Sequence, residues 1–307
     1  MSTALLAVQT LNGLQLGLLL FLVAAGLTLV FGVMDLINLA HGVQYMLGAY
    51  FAVVGYRLTG NFLFAILIAL ALAMALGLVL EFLVYRHLYG RSHLDQVLAT
   101  FGVILFLDEA VKAIFGAAPL ALPGPEWLSG SIPLMPGLLY PVYRIALIVA
   151  GLAVAGLLYV LVNHTRIGML IRAGASNPAM VSALGVDIRR LFMVVFAFGG
   201  MLAGFAGAMA APILAVEPTM GDNLLILAFV VIVIGGIGSV RGAFIAALLI
   251  GLIDTLGRSF ATDLLKLVFA PAAANQIGPA LSSMLIYLLM ALTLFIRPAG
   301  LFPAHRQ

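Results

Sequence analysis

The sequence contains no cysteine and few charged residues. Without cysteine the chain can form neither a disulfide bond nor a thiolate metal site. Charged residues make up 8% of the 307 residues, whereas a typical soluble domain has about 25%. A soluble chain of this size needs many charged side chains to cover its surface, but an apolar exterior is stable in lipid. The low charge therefore indicates an integral membrane protein.

Lysine and histidine are also scarce, and this excludes two kinds of site. Lys112 and Lys266 are the only lysines, and neither belongs to a G-x-x-x-x-G-K-[ST] phosphate-binding loop. The five histidines are scattered, and none lies in an H-E-x-x-H zinc motif. The sequence GGIGSVRG near residue 235 lacks the full spacing of a dinucleotide-binding loop. We therefore expect this chain to bind no cofactor of its own.

Long apolar runs are abundant, since hydrophobic residues make up 64% of the sequence. Six runs between charged residues are long enough to cross a bilayer as helices: 1–34, 58–80, 145–163, 191–216, 223–240 and 267–296. Three weaker segments complete the set: 36–56, 94–115 and 242–257. The alternating pattern of a membrane β-barrel is missing. The sequence predicts an all-α polytopic bundle of about 8–10 transmembrane helices, in one domain over residues 1–307.

Positive charge is unevenly distributed between the loops, and this predicts the orientation. The loops 86–93 and 163–190 and the tail with Arg297 and Arg306 are basic, so we place them in the cytoplasm. The loops 116–140 and 214–223 carry acids and no lysine or arginine, so we place them outside, where Arg57 and the stretch around Arg258 and Lys266 are exceptions to the charge bias. Counting from these anchors gives nine crossings, with the N-terminus outside and the C-terminus inside. No basic residue precedes Arg57, so we expect the first run to be a retained helix.

Proline and glycine mark two further features. Five prolines predict an irregular periplasmic loop over 116–140: Pro119, Pro123, Pro125, Pro133 and Pro136. Glycine occurs 33 times, and many of the glycines lie inside the spans. The pairs Gly200/Gly204 and Gly238/Gly242 are each four residues apart, which puts small residues on one helix face. They predict close helix packing and say little about function.

The longest basic loop, 163–190, contains the signals of a short helix. Asn177 is a good N-cap residue, Pro178 suits the first helical position, and Gly185 would end the helix. A compact helix on the cytoplasmic face is suited to docking another protein. An ordinary connecting loop with basic residues is the alternative.

Polar residues interrupt the second helical segment. Asn38, His41 and Gln44 recur at three-residue spacing and so lie close to one helix face. Polar side chains at membrane depth usually face a bundle interior or a water-filled path. They either line a translocation path, form hydrogen bonds between helices, or lie at the inner interface beside Asp35. The surrounding stretch, 32–56, is either a broken helix or a re-entrant turn.

Two groups of charged residues have helical spacing. Asp254 and Arg258 are four residues apart and should form a pair within one helix. Lys112 follows Asp108 and Glu109 by four and three residues, and we expect local pairing near the outer face.

Three blocks of sequence resemble the branched-chain amino-acid permease family of ABC importers. They are GVMDLINLAHGVQYMLGAY at 32–50, RAGASNPAMVSALG within the loop 163–190, and VVIVIGGIGSVRGAFIAALLIG at 230–251. Two positions depart from the family pattern, because Val43 and Ala179 stand where the family often has glutamate. The first departure bears on the substrate, and the second removes one expected polar contact with an ATPase.

The resemblance implies a permease subunit of an ATP-driven importer in a bacterial inner membrane. Its partners would be a homologous second permease, two cytoplasmic ATPases that bind ATP and magnesium, and a periplasmic solute-binding protein; no nucleic acid is implied. Two sets of residues follow. The substrate path would contain Asn38, His41, Gln44 and Tyr45. The coupling surface for the ATPases would contain Arg172, Asn177, Pro178, Gly185 and Arg189.

Alternatives exist for both the substrate and the energy source of transport. Branched-chain amino acids are typical of the family, and related permeases carry urea, amides or aromatic acids. A secondary transporter driven by an ion gradient is the alternative of another class, and it would need acids embedded in the membrane. Asp35 and Asp254 are the deep acids that the sequence suggests for that role. An intramembrane enzyme is a third class, for which the sequence offers no convincing catalytic cluster.

Overall fold

The computed structural model describes residues 3–135 and 138–302, and most of these residues are helical. Pro136 and Arg306, which entered the predictions above, lie outside the described residues. The helices are α1 (Thr3–Met34), α2 (His41–Thr59), α3 (Phe62–Leu83), α4 (His93–Phe115), α5 (Val142–His164), α6 (Arg166–Ser176), α7 (Pro178–Ala183), α8 (Ile188–Ala210), α9 (Met220–Gly235), α10 (Val240–Leu265) and α11 (Pro271–Ile296). Two strands, β1 (Ser131–Met135) and β2 (Leu138–Pro141), and the short 3-10 helices Tyr85–His87 and Glu126–Leu128 complete the described elements. The predicted all-α polytopic fold is confirmed.

Six helices of the described chain are long and apolar enough to cross a membrane: Ala4–Met34, Phe62–His87, Val142–His164, Ile188–Ala210, Val240–Leu265 and Pro271–Ile296. Five of them coincide with predicted apolar runs. The helices α2, α4 and α9 occupy the remaining predicted positions and are shorter or more polar. The count of nine crossings stays a prediction.

One predicted apolar run in the C-terminal half is broken, and one predicted segment forms a longer helix than expected. The run 223–240 does not form one helix, because Gly236 and Gly238 have φ angles of 104° and 81°. These left-handed conformations favour glycine and end α9 at Gly235. The segment 242–257, rated as weak, belongs to α10, a helix of 26 residues. Its acid, Asp254, does not prevent this because Arg258 neutralises it at 2.9 Å.

The helices α1 and α8 form the centre of the bundle. The helix α1 packs against α8, α9 and α10, and α2 packs against α3, α8 and α9. Glycine allows the closest of these contacts. A Cβ atom on Gly48 of α2 would overlap the backbone of Gly204 in α8, and one on Gly242 would overlap the backbone of Gly235. The expected close packing through glycine is therefore present.

The two predicted outer loops meet at one end of the bundle. Leu120 and Val216 exchange backbone hydrogen bonds of 2.8 and 2.9 Å, which joins the loops 116–140 and 214–223. The proline-rich loop is more regular than predicted, because β1 and β2 pair as an antiparallel ribbon. A two-stranded ribbon has free edges, so a proline such as Pro133 can lie where no ladder hydrogen bond is needed.

The three basic stretches gather at the opposite end. Tyr89, from the loop 86–93, packs edge to face on Phe192 at the start of α8, with ring centroids 5.2 Å apart. The C-terminal residues Leu301 and Phe302 donate backbone hydrogen bonds to Ile234 and Gly235 at the end of α9. The basic and acidic loops thus lie at opposite ends of the bundle, as the positive-inside pattern requires.

Candidate transport and coupling sites

The connection between α1 and α2 runs back into the bundle. The helix α1 ends at Met34, and Asp35 turns the chain with a φ angle of 50°. Six residues later, the His41 ring lies with Nε2 3.0 Å from the carbonyl oxygen of Val23. Val23 precedes Met34 by eleven residues, which is about 16 Å along a helix. The second helix therefore begins inside the bundle, and the predicted interruption within 32–56 is a re-entrant segment over residues 35–40.

Two side chains from distant parts of the sequence hold this re-entrant segment. The backbone N–H of Ile37 donates to Oε1 of Gln96 at 3.1 Å, and the hydroxyl of Tyr85 donates to Oδ1 of Asn38 at 2.8 Å. Both Gln96 and Tyr85 are buried. Sequence reasoning missed them, because a polar residue near the end of an apolar run gives no sign of its partner.

The four residues predicted for the substrate path are buried inside the subunit. Asn38, His41, Gln44 and Tyr45 are each at most 1% exposed. The side chain of Gln44 lies beside Gly200 of α8, where a methyl group would be 3.1 Å from Nε2. The structure therefore brings the predicted set together between α1, α2 and α8, in a closed arrangement.

Several polar atoms in this closed region have no well-aligned hydrogen bond to the described residues, although the His41 and Gln44 side chains are close enough to interact with each other. They are Nδ2 of Asn38, Nδ1 of His41, both amide atoms of Gln44 and, on α1, Oγ1 of Thr28. Leaving such atoms unpaired in an apolar interior costs roughly 1–3 kcal/mol each. A cluster of this kind is unusual for a purely structural core, in which most buried polar atoms are paired.

The short helix α7 has the local structure that the sequence predicts. Asn177 Oδ1 accepts a hydrogen bond of 2.9 Å from the N–H of Met180, and Pro178 occupies the first helical position. Gly185 follows the helix with a φ angle of 87°. The predicted cap, start and stop of this helix are confirmed; its contact with an ATPase is a prediction that nothing here tests.

The helix α7 projects from the end of the bundle. Val181 is its buried anchor, whereas Met180 and Leu184 are 58% and 78% exposed. An open depression of about 410 Å³ lies between α7 and α8, and Pro178 and Arg189 are among its lining residues. The structure thus brings four of the five predicted coupling residues to one surface: Asn177, Pro178, Gly185 and Arg189.

Arg172 lies apart from that surface. Its Nη1 atom donates to the carbonyl oxygen of Val162, at the end of α5. Its side chain lines a different cavity, between α1, α5, α6 and the start of α10. Of the residues predicted for coupling, Arg172 is therefore the one whose position indicates a separate role.

Aromatic contacts connect α8 with the re-entrant segment. Phe196 packs on Tyr85 with ring centroids 4.3 Å apart, and Phe192 packs on Tyr89 one turn earlier. Tyr85 is the residue that bonds to Asn38. A continuous set of contacts therefore leads from α7, through the first three turns of α8, to the buried polar cluster.

The sequence model of the family described as "Branched-chain amino acid transport system / permease component" matches residues 9–294. The chain belongs to this family. No solved structure gives a significant match.

The individual relatives of the chain are also permeases. The chain is 30% identical to the high-affinity branched-chain amino acid permease LivH of Escherichia coli over 82% of this chain and 86% of that protein. It is 29% identical to the permease BraD of Pseudomonas aeruginosa over 95% of this chain and 94% of that protein. The ribose import permease RbsC of E. coli is 26% identical over 44% of this chain and 38% of that protein. With the six apolar helices, these likenesses make the chain a multi-pass membrane protein of the permease family.

Charged residues inside this permease are mostly neutralised locally. Asp254 forms the predicted pair with Arg258 at 2.9 Å, and Lys112 pairs with Glu109 at 2.7 Å. Asp108 was also predicted to pair locally with Lys112. Its Oδ1 atom is instead buried without a hydrogen-bond partner among the described residues. Asp108 lies instead on a face of α4 that turns into the protein.

One buried acid of the permease escaped the sequence analysis. Glu81, in the last turn of α3, is 1% exposed and accepts a hydrogen bond of 3.1 Å from the hydroxyl of Tyr89. Nη2 of Arg86 lies 3.9 Å from the other carboxylate oxygen. Burial and the Glu81 carboxylate raise the pKa of Tyr89 above its usual value, so this phenol stays protonated and donates. The predicted apolar run 58–80 ends just before Glu81, but α3 continues through Glu81 to Leu83.

Proposed function

We propose that this chain is the membrane-spanning permease subunit of an ATP-driven importer in a bacterial inner membrane. The observation that carries the proposal is α7, a capped helix held by one buried side chain and exposed at the basic end of the bundle. The subunit would pair with a homologous second permease. Two cytoplasmic ATPases would bind α7 of each permease, and a periplasmic binding protein would deliver the solute.

The coupling step follows from the contacts around α7. Closure of the ATPases around ATP and magnesium would push α7, which has little buried surface to resist a movement. The helix α8 would follow because only residues 184–187 separate the two helices. Phe192 and Phe196 would then move Tyr89 and Tyr85, and with them the re-entrant segment. Such a device needs two packings of one bundle whose relative free energy is changed by ATP.

The buried polar cluster is the proposed part of the solute path. The unpaired atoms of Asn38, His41 and Gln44 would find partners in water or solute when α8 moves away from α2. The glycines along this contact favour such movement because they allow backbones to slide at close range. No strong ionic site is required, since an external binding protein would select the solute.

Branched-chain amino acids are the proposed substrate class. Support comes from the relatives LivH and BraD, which align with most of this chain and are named for these solutes. The likeness to a ribose permease covers less than half of the chain. Urea, short amides and aromatic acids stay as alternatives within the family, and Val43, at a position often occupied by glutamate, is part of the buried α2 surface that would distinguish them.

A secondary transporter driven by an ion gradient is the second candidate, and the structure favours it less. Asp254, one of the two acids that this alternative needs, is neutralised by Arg258. Asp35, the other, is exposed at the end of α1. Glu81 is deeply buried, but it is bonded to Tyr89 and close to Arg86.

The test is transport in proteoliposomes. This chain would be reconstituted with the second permease, the ATPases and the binding protein that we expect in neighbouring reading frames. Uptake of labelled leucine should require the binding protein and internal ATP. Uptake by this chain alone, driven by a proton or sodium gradient, would overturn the importer proposal in favour of a secondary transporter.

A further inference from the structure

A large groove opens between α1, α5, α6 and the start of α10, away from the buried polar cluster. Its volume is about 840 Å³. None of the residues predicted for the substrate path lines it, and Arg172 is the one predicted coupling residue that does. The groove therefore needs an explanation of its own.

The two ends of this groove differ in chemistry. Its deep wall is apolar and is formed by residues such as Phe21, Leu158 and Phe244. Arg172 on α6 and Arg241 on α10 are the charged residues of its lining. The lining contains no acidic residue, and neither arginine forms an ion pair with an acid of the described chain. The groove therefore suits an anion with a long apolar body.

The position of the two arginines in the bundle matches the level of lipid headgroups. Arg172 lies one turn and a half into α6, the helix that follows α5 at the basic end of the bundle. Arg241 follows the glycine turn at 236–239, which packs on Gly32 near the end of α1, and its guanidinium lies over the ring of Phe302 at 5.3 Å. In the orientation of the proposed function, both arginines face the cytoplasmic leaflet.

The length of the groove matches one leaflet. Its residues on α5 recur on one helix face from Leu152 through Tyr159 to Asn163. These eleven residue steps cover about 16 Å of helix. Half of the hydrocarbon thickness of a bilayer is about 15 Å. An acyl chain lying along this face of α5 would therefore reach from the headgroup level to about the bilayer centre.

We infer that the groove holds one anionic phospholipid of the inner leaflet, with its phosphate at Arg172 and Arg241 and an acyl chain along α5. Guanidinium groups bind phosphate oxygens through paired, charge-assisted hydrogen bonds. Basic pockets between transmembrane helices on the cytoplasmic side are a known setting for acidic lipids. A zwitterionic amino acid fits poorly, because the groove offers its ammonium group no acid. The inference takes its orientation from the proposed function but needs no ATPase.

The lipid would also touch the coupling machinery. Arg172 lies on α6, and a single residue, Asn177, separates α6 from α7. A phosphate bound to Arg172 would hold α6 against α10. The activity of the assembled transporter should therefore depend on the anionic lipid content of its membrane.

The test measures lipid binding by the full chain in detergent, using native mass spectrometry with phosphatidylglycerol and phosphatidylcholine. The wild type should retain phosphatidylglycerol preferentially. Arg241→Gln should weaken this binding about tenfold, because it removes a charge-assisted hydrogen-bond donor. Arg166→Gln, on the same helix as Arg172 but outside the groove lining, is the matched control and should bind as the wild type.

A second variant tests the acyl-chain half of the groove without changing any charge. A Cβ atom on Gly156 would meet nothing within 4 Å, so Gly156→Leu should fold normally and occupy the groove. It should lose phosphatidylglycerol, whereas Gly102→Leu, at an equally open glycine of α4, should keep it. Millimolar inorganic phosphate should not displace the lipid; displacement would mean that the site is one for a free anion.

Three results would overturn the inference. Equal retention of both lipids would remove the anionic selectivity, and equal loss in Arg166→Gln would indicate diffuse attraction to the basic surface. The third concerns the assembled transporter. Because the chain has no cysteine, a single Gly156→Cys can be cross-linked selectively, and a cross-link to the second permease would show that protein, rather than lipid, covers the groove. None of these results would alter ATP dependence, so they leave the proposed function intact.

Discussion

At the scale of single residues, the hydrogen bond between Tyr85 and Asn38 holds the re-entrant segment. Both side chains are fully buried, and the bond joins the end of the third helix to the start of the polar cluster. The ring of Tyr85 is separately fixed by Phe196. The hydroxyl and the ring therefore make distinct contributions, and a substitution that removes the hydroxyl alone can separate them.

We predict that Tyr85→Phe destabilises the protein by about 1–3 kcal/mol, because Asn38 loses its donor while the aromatic packing stays. The melting temperature of the purified chain should fall, and uptake should fall with it. Tyr287→Phe is the control, since Tyr287 is 43% exposed on α11. Equal melting temperatures for the two variants would show that the bond to Asn38 contributes nothing.

Glycine contacts are the other residue-scale feature. Gly48 of α2 faces Gly204 of α8 so closely that a Cβ atom would overlap the backbone. We predict that Gly48→Ala destabilises the bundle by about 1–3 kcal/mol or more, as overpacking does when backbone must move. Gly102→Ala, with open space around its Cβ position, should be neutral. Thermal unfolding compares the two, and equal stability would contradict the close approach of α2 and α8.

At the scale of elements, α7 is the surface that the importer proposal needs. Its exposed apolar side chains are unusual at a basic, water-facing end, and such patches commonly bind proteins. We predict that Leu184→Glu releases the ATPases during copurification. The control is Leu267→Glu, in the turn that follows α10 at the opposite end of the bundle; Leu184 and Leu267 are 78% and 82% exposed. Loss of the ATPases in both variants, or in neither, would argue against α7 as the docking element.

The turn after α7 should transmit the movement of this helix. Gly185 has a φ angle of 87°, which proline cannot adopt, and its N–H bonds to the carbonyl of Ser182. We predict that Gly185→Pro leaves membrane insertion intact while ATP hydrolysis no longer drives uptake. Gly116→Pro makes a similar change, at a φ angle of 84°, at the opposite end of the bundle. The ratio of leucine transported to ATP hydrolysed distinguishes them, and an unchanged ratio in Gly185→Pro would rule out this coupling route.

The elements that could be predicted from the sequence are those with local signals. The start and end of α7 depend on Asn177, Pro178 and Gly185, which all lie within nine positions, so the sequence predicts them directly. The re-entrant segment depends on partners 47 and 59 residues away, Tyr85 and Gln96. Pairing at such distances is decided by helix packing, which apolar runs do not encode.

The same reasoning explains the other differences. The prolines of 116–140 predicted an irregular loop because proline has no backbone N–H to donate. A two-stranded ribbon has free edges where no such donor is needed, so the prolines do not prevent it. Glu81 was overlooked since its partners, Tyr89 and Arg86, lie in the following turn and only the folded chain brings them over its carboxylate. The groove at Arg172 and Arg241 joins residues that are distant in sequence and was likewise not foreseen.

At the scale of the whole molecule, the bundle has two chemically different ends and a closed polar centre. The basic end carries α7 and the acidic end carries the paired outer loops, while Asn38, His41 and Gln44 lie buried between them. Neutralisation of Asp254 by Arg258 leaves that acid poorly suited to carry an ion. This arrangement favours transport driven by separate ATPase subunits over transport driven by an ion gradient through this chain.

The most direct test of this account is leucine uptake by the complete reconstituted complex, with ATP inside the vesicles and no ion gradient. We predict accumulation that stops when ATP is replaced by a non-hydrolysable analogue and when Leu184→Glu replaces the wild-type chain. Accumulation that persists in both cases, or that this chain alone sustains with an imposed proton or sodium gradient, would contradict the account.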